Sequence, residues 1–196
     1  MEKVEIKLTA EEVKEKILAG ERKTWERDFE GVTIHGNLDL EKATIKGYLD
    51  LGGATIEGEL GLRGATIEGT VYLDTATIHG GLDLGGATIK GELYLIGATI
   101  HGYLDLIGAT IHGGLDLRGA TIEGELDLGE ATIEGNLYLI EATIEGELYL
   151  GGATVKGSLD LSTKKGPTKI YVNKEMAQLV HWSAPTVPLV VLREKQ

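Results

Sequence analysis

The 196-residue sequence contains no cysteine, only three prolines and a single phenylalanine. Without cysteine there can be no disulfide framework, no thiolate nucleophile and no cysteine-ligated zinc site. The sequence also lacks an apolar run of membrane-spanning length and the apolar segment of a secretory signal peptide. We therefore expect a cytoplasmic protein without membrane contact. Asn, Gln and Met are scarce beside Glu and Lys, a usage that favours a thermophilic source.

Basic residues are also in short supply, because the net charge of the chain is −12. The deficit is concentrated in residues 32–163, which contain 20 acidic and 6 basic side chains, whereas residues 164–196 have a net charge of +4. A surface this acidic repels the phosphates of DNA and RNA. Direct nucleic-acid binding by residues 32–163 is therefore disfavoured.

One eleven-residue unit, ATIxGxLxLxx, is repeated twelve times from Val32 to Thr163 without an insertion or deletion. A short, strict repeat over two thirds of a chain is typical of a solenoid, in which each unit buries its apolar face against its neighbours. Counted from the alanine, the apolar residues occupy positions 1, 3, 7 and 9, which is the two-residue period of strands. Glycine at position 5 and at positions 10 and 11 predicts two corners, and at position 5 we expect a positive φ.

Eleven residues encircle too little space for isoleucine and leucine, whereas two units can close a coil around them. We therefore expect an all-β solenoid: a right-handed, four-sided β-helix with 22 residues per coil and about six coils in the array. An eleven-residue coil or a helical array is the alternative. Frequent glycine and the Thr-Ile pairs make the helical array unfavourable.

The flanking segments predict caps on a single structural domain. Residues 1–31 contain a strand, a capping-box motif followed by a helix that stops at Gly20, and a degraded repeat. Residues 32–163 are the twelve-repeat β-helix. Residues 164–196 contain a further degraded repeat, a second short helix that starts after Asn173, and an extended tail. Helices at both ends would cover strand edges that otherwise invite stacking.

Outward side chains 22 residues apart should form ladders if a coil has 22 residues. At position 4, His79 and His101 become neighbours. We expect a solvated face with ion pairs there and no metal site; His79 and His101 are the candidate ligands in the alternative interpretation. At position 8, Asp83, Asp105 and Asp127 form a column of carboxylates. Their repulsion should raise at least one pKa or recruit a cation, with solvation as the alternative.

The opposite side of the solenoid carries tyrosines at position 8 and isoleucines at position 10. This composition is typical of protein interfaces, and the predicted contact residues are Tyr94, Ile96, Tyr138 and Ile140. A homodimer is expected through the C-terminal region. Its predicted contact residues are Trp182, Leu189 and Val191.

Alternating isoleucine and leucine with a recurring I-x-G, as in Ile45-Lys46-Gly47, resembles the bactofilins, bacterial cytoskeletal proteins that polymerise end to end. Ala-Thr-Ile also resembles the A-x-L kernel of the pentapeptide-repeat family, although the period here is eleven residues. Some members of that family are acidic rods that mimic DNA. The first resemblance implies a filament subunit, and the second implies a DNA mimic that binds a nucleic-acid enzyme.

No nucleophile triad, phosphate-cradling loop or metal-ligand motif is visible in the sequence. The expected function is accordingly a non-enzymatic, protein-binding scaffold without a cofactor, whose partner the sequence does not identify. The alternatives are the filament subunit, the DNA mimic and a metal-dependent β-helical enzyme with zinc bound by His79, His101 or His112.

Overall fold

The computed structural model describes residues 6–19, 29–172 and 189–191. These residues form a parallel β-solenoid of about seven turns, with about 22 residues per turn and a short helix near the N-terminus. Leu38 lies opposite Leu60 in the neighbouring strand, as the 22-residue coil predicts. The eleven-residue coil and the helical array are thereby excluded, whereas the right-handed winding stays a prediction.

Each coil has four sides, and each side contributes to one parallel sheet, which we name A to D in chain order. Sheet A consists of Ile6–Thr9, Val32–His35, Thr55–Ile56, Thr77–Ile78, Thr99–Ile100, Thr121–Ile122 and Thr143–Ile144. Sheet B consists of Leu38–Asp39, Leu60–Gly61, Leu82–Asp83, Leu104–Asp105, Leu126–Asp127, Leu148–Tyr149, Ile170–Val172 and Leu189–Val191. Sheet C consists of Thr44–Ile45, Thr66–Ile67, Thr88–Ile89, Thr110–Ile111, Thr132–Ile133 and Thr154–Val155. Sheet D consists of Leu49–Asp50, Val71–Tyr72, Leu93–Tyr94, Leu115–Asp116, Leu137–Tyr138 and Leu159–Asp160.

The core is a set of aliphatic ladders along the solenoid axis. Positions 3, 7 and 9 of the repeat point inward, and their side chains are almost completely buried from Ile34 to Leu150. The alanine at position 1 is buried in most copies and lines the same core. Because each ladder continues from coil to coil, the described residues share one hydrophobic core, and every coil depends on its neighbours for burial.

The N-terminal end of the core is covered as expected. The strand Ile6–Thr9 pairs with Val32–His35, and the helix Ala10–Ala19 follows it directly and buries Val13 and Ile17. The capping box is formed: the Glu12 backbone N–H donates to Thr9 Oγ1 at 3.2 Å, and Thr9 N–H donates to the Glu12 carboxylate at 2.8 Å. At the other end, Ile170–Val172 extends sheet B from the degraded repeat. These additions bring the total to about seven turns; the predicted C-terminal helix lies outside the described residues.

The two glycine corners have different physical causes, which corrects the expectation for position 5. Positive φ occurs at position 11, as at Gly53 (69°) and Gly108 (64°), and at position 5 only in Gly36 and Gly47. The later position-5 glycines are instead required by close approach. A Cβ on Gly102, for example, would lie 2.7 Å from backbone atoms of Gly80 in the preceding coil. The position-5 backbones also hydrogen-bond from coil to coil, as from Gly102 N–H to the Gly80 carbonyl at 3.0 Å.

The position-11 corner is a β-turn that spans positions 9, 10, 11 and 1. The Ala54 N–H donates to the Leu51 carbonyl at 3.1 Å, and the positive φ at the third residue is typical of a type II turn. The aspartates at position 8 hold this turn. In each case Oδ1 accepts the backbone N–H of position 10; for example, the Gly129 N–H donates to Asp127 Oδ1 at 2.7 Å. The L-D-L sequence is therefore an Asx-turn signal as well as a surface pattern.

None of the helices in the described part of the chain has the length and apolarity needed to cross a membrane.

Candidate interaction surface on sheet D

The predicted tyrosine contacts lie together on the outer face of sheet D. We call the following residues the tyrosine surface: Tyr48, Tyr72, Tyr94, Ile96, Arg118, Tyr138 and Ile140. Tyr72 and Tyr94 stack with ring centroids 5.6 Å apart, and Tyr48 meets Tyr72 edge-on at 6.3 Å. The 22-residue register causes this stacking, because it places Tyr94 directly beside Tyr72 in the adjacent strand.

Arg118 places a fixed positive charge within the tyrosine surface. Asp116 is only 5% exposed, and its carboxylate accepts three hydrogen bonds of 2.6 to 2.9 Å from the Arg118 guanidinium. The hydrogen bond and charge of Asp116 raise the pKa of Arg118, so the guanidinium stays charged. It lies 6.0 Å from the centroid of the Tyr138 ring, a cation–π distance.

A depression of about 300 Å³ adjoins Tyr138 on the same face. Gly114 lies in this depression, at the repeat position that Glu92 and Asn136 occupy in the neighbouring coils. The residues around it include Glu92, His112, Asp116, Asn136 and Tyr138. Nearby, burial, together with the charge and hydrogen bond of Glu92, raises the pKa of Tyr94, so its phenol remains neutral.

The four predicted contact residues of sheet D are half-buried, because each packs against the coils above and below it. A more exposed apolar side chain lies on the opposite sheet. Ile107, on the outer side of sheet B, is 45% exposed. It occupies position 10, as Ile96 and Ile140 do, so the repeat pattern contained the signal that would have included it.

The predicted aspartate column on sheet B is present: Asp83 pairs with Asp105, and Asp105 with Asp127, in adjacent strands. Arg63 bridges the first two, from Nε to Asp83 at 2.8 Å and from Nη2 to Asp105 at 3.1 Å. At the third rung, burial and the charge of Asp105 raise the pKa of Asp127, although the Gly129 N–H opposes the shift. The direction matches the prediction, but burial contributes more than the predicted repulsion, for which Asp105 accounts.

His79 and His101 are neighbours, as predicted, with their rings stacked at 5.1 Å. His101 Nδ1 also lies 3.0 Å from Glu123, and the same coil-to-coil pairing recurs along position 4. The other position-4 pairs are His35–Glu57, Lys90–Glu68, His112–Glu134 and Lys156–Glu134. Over residues 6–19, 29–172 and 189–191, no three His, Cys, Asp or Glu side chains are grouped closely enough to hold a metal ion.

Of the predicted dimer contacts, the backbones of Leu189 and Val191 lie within the described residues. Trp182 lies outside the described residues. The backbones of Leu189 and Val191 form a strand that pairs in parallel with Ile170–Val172 of the same chain. This segment therefore continues sheet B, while its side chains lie outside the described part of the structure.

Comparison of the chain with protein-family models, curated proteins and solved structures finds no match. The β-solenoid architecture therefore follows from the coordinates, and the resemblances to the bactofilins and the pentapeptide-repeat family stay predictions.

Proposed function

We propose that this protein is a rigid, non-enzymatic scaffold that binds another protein through the tyrosine surface of sheet D. One observation supports this most strongly: aromatic rings, two isoleucines and a fixed guanidinium lie together on one face of a stiff solenoid. Tyrosine and arginine are enriched at the energetic centres of protein interfaces. The stacked rings are already ordered, so binding costs little side-chain entropy.

The proposal is tested by affinity capture from the native host, with quantitative mass spectrometry, using two variants with the same charge change. Tyr94→Asp disrupts the tyrosine surface, and position 8 of sheet D already accepts aspartate at Asp50 and Asp116. Gly61→Asp adds the same charge at the same repeat position of sheet B, where a Cβ meets only ordinary contacts. A partner retained by the parent chain and Gly61→Asp but lost with Tyr94→Asp supports the proposal. Equal retention by all three chains contradicts it.

A discrete particle is part of this proposal. The N-terminal helix covers one end of the core and buries Val13 and Ile17, which hinders the end-to-end growth that the bactofilin resemblance implies. A homodimer through residues 173–196 remains compatible with a scaffold. Light scattering separates these cases. Filaments would contradict the discrete particle, and an unchanged number of chains per particle after deletion of residues 173–196 would exclude a dimer through this region.

A further inference from the structure

The outer face of sheet B contains a groove that the tyrosine surface does not involve. Its volume is about 240 Å³, and it is lined by Ile107, Asp127, Gly129, Glu130, Tyr149 and Gly151. Gly129 and Gly151 have no side chain that would fill the groove. Ile107 and the Tyr149 ring supply apolar surface, and two carboxylates lie at the margin.

The Tyr149 ring is held in place beside this groove. Tyr171 stacks on it at 4.5 Å with the rings nearly parallel, and the Tyr149 hydroxyl donates to Glu147. Tyr171 belongs to the following coil and Asp127 to the preceding one. The ring face that Tyr171 leaves uncovered is therefore directed toward Asp127.

The same column of aspartates shows how a guanidinium fits it. Arg63 lies across two successive rungs and binds Asp83 and Asp105. In the coils that follow Arg63 on this side, the same repeat position is occupied by Gly85, Ile107, Gly129 and Gly151. Among the described residues, no arginine or lysine pairs with Asp127, whose Oδ1 accepts the Gly129 N–H. Within residues 6–19, 29–172 and 189–191, a guanidinium is thus present for the upper rungs and none for the third.

We propose that this groove binds an arginine side chain presented by an extended basic segment of a partner protein. The guanidinium pairs with Asp127 and Glu130 and stacks on Tyr149, while the aliphatic stem covers Ile107. Arginine fits better than lysine because its planar fork pairs with carboxylates and stacks on aromatic rings. The charge of −14 over residues 32–163 favours a basic partner and opposes a second copy of this chain. This inference concerns a different face and does not depend on the proposed function.

The test uses a fluorescein-labelled peptide with two arginines separated by glycines, and the same peptide with citrulline in their place. Anisotropy titrations are done at an ionic strength of about 0.15 M, which screens long-range attraction. The groove variant is Asp127→Asn with Glu130→Gln. Its matched control is Asp50→Asn with Glu141→Gln, which changes the same repeat positions and the same charge on the sheet D side.

We expect the groove variant to bind the arginine peptide about tenfold more weakly, as loss of a charged hydrogen bond implies. The control should change the affinity less than about twofold, because it removes only screened, distant charge. Citrulline should abolish measurable binding, and circular dichroism should show both variants folded. Equal weakening by the two variants, equal binding of the citrulline peptide, or no arginine-peptide binding would overturn the proposal. So would a dimer in sedimentation that the groove variant dissociates.

Discussion

The glycines at position 5 should tolerate no side chain without a loss of stability. Replacing Gly102 by alanine places a Cβ 2.7 Å from the Gly80 carbonyl group and the Gly81 nitrogen, all of them backbone atoms. Ordinary contact begins at 3.4 Å, so the two coils must separate locally by about 0.7 Å. The hydrogen bond from Gly102 N–H to Gly80, now 3.0 Å, lengthens with them.

The magnitude follows from these two effects. Overpacking of a close-packed interior costs about 1–3 kcal/mol, and a weakened backbone hydrogen bond adds about 1 kcal/mol, so we expect Gly102→Ala to lower the free energy of unfolding by about 3 kcal/mol. Gly108→Ala is the matched control. Gly108 has a φ of 64° and nothing within 4 Å of a Cβ, so only backbone strain of about 1–2 kcal/mol is expected there.

Urea unfolding followed by far-ultraviolet circular dichroism measures both changes under the same conditions. Gly102→Ala should have the lower midpoint, with an unchanged dependence on denaturant if unfolding stays cooperative. A Gly102→Ala chain that is no less stable than Gly108→Ala would contradict the close approach of neighbouring coils as the reason for glycine at position 5.

Three further predictions concern individual side chains. Thr75 has a φ of 56° at position 11, so Thr75→Gly should raise the free energy of unfolding by about 1 kcal/mol, measured by urea unfolding; a loss of stability would contradict the turn assignment. Burial, with the charge and hydrogen bond of Glu59, raises the pKa of Tyr103 to about 12. Ultraviolet titration should show this phenol ionising at high pH, and Glu59→Gln should move its pKa toward 10.0. An unchanged pKa in that variant would show that Glu59 does not contribute to the shift. The raised pKa of Asp127 means that its charged form is disfavoured on folding, so Asp127→Asn, which keeps the oxygen that accepts the Gly129 N–H, should stabilise the chain at neutral pH. The gain in stability should fade as the pH falls toward 3.8 and below, because Asp127 then becomes protonated. A gain that grows as the pH falls would show that the pKa of Asp127 is not raised by folding.

Much of this fold can be predicted from the period alone. The alternation of apolar positions fixes which residues point inward, and the coil must hold 22 residues because eleven cannot enclose isoleucine and leucine. Once that register is known, the stacking of His79 on His101 and the aspartate column follow directly. The capping box at Thr9 and Glu12 is equally local, since both partners lie within one helical turn.

What the sequence could not predict depends on distances between coils. The requirement for glycine at position 5 comes from backbone atoms of the preceding coil, and no local preference reveals it. The covering of Gly81 by the Tyr103 ring likewise depends on a residue 22 positions away. The half-burial of Tyr94 and the exposure of Ile107 have a similar origin, because the size of the stacked neighbours decides how much of each side chain remains accessible.

One circuit of the coil takes two repeats, so that residues 22 apart are neighbours and residues 11 apart lie on opposite sides. A chain without cysteine allows a direct test by paired substitutions. His79→Cys with His101→Cys should form an intramolecular disulfide on mild oxidation, because neighbouring strands bring Cα atoms within the 4.4–6.8 Å or so that a disulfide spans. His79→Cys with Lys90→Cys should remain reduced, as measured by mass spectrometry of the monomer. An intramolecular disulfide in the second chain, or none in the first, would contradict the two-repeat coil.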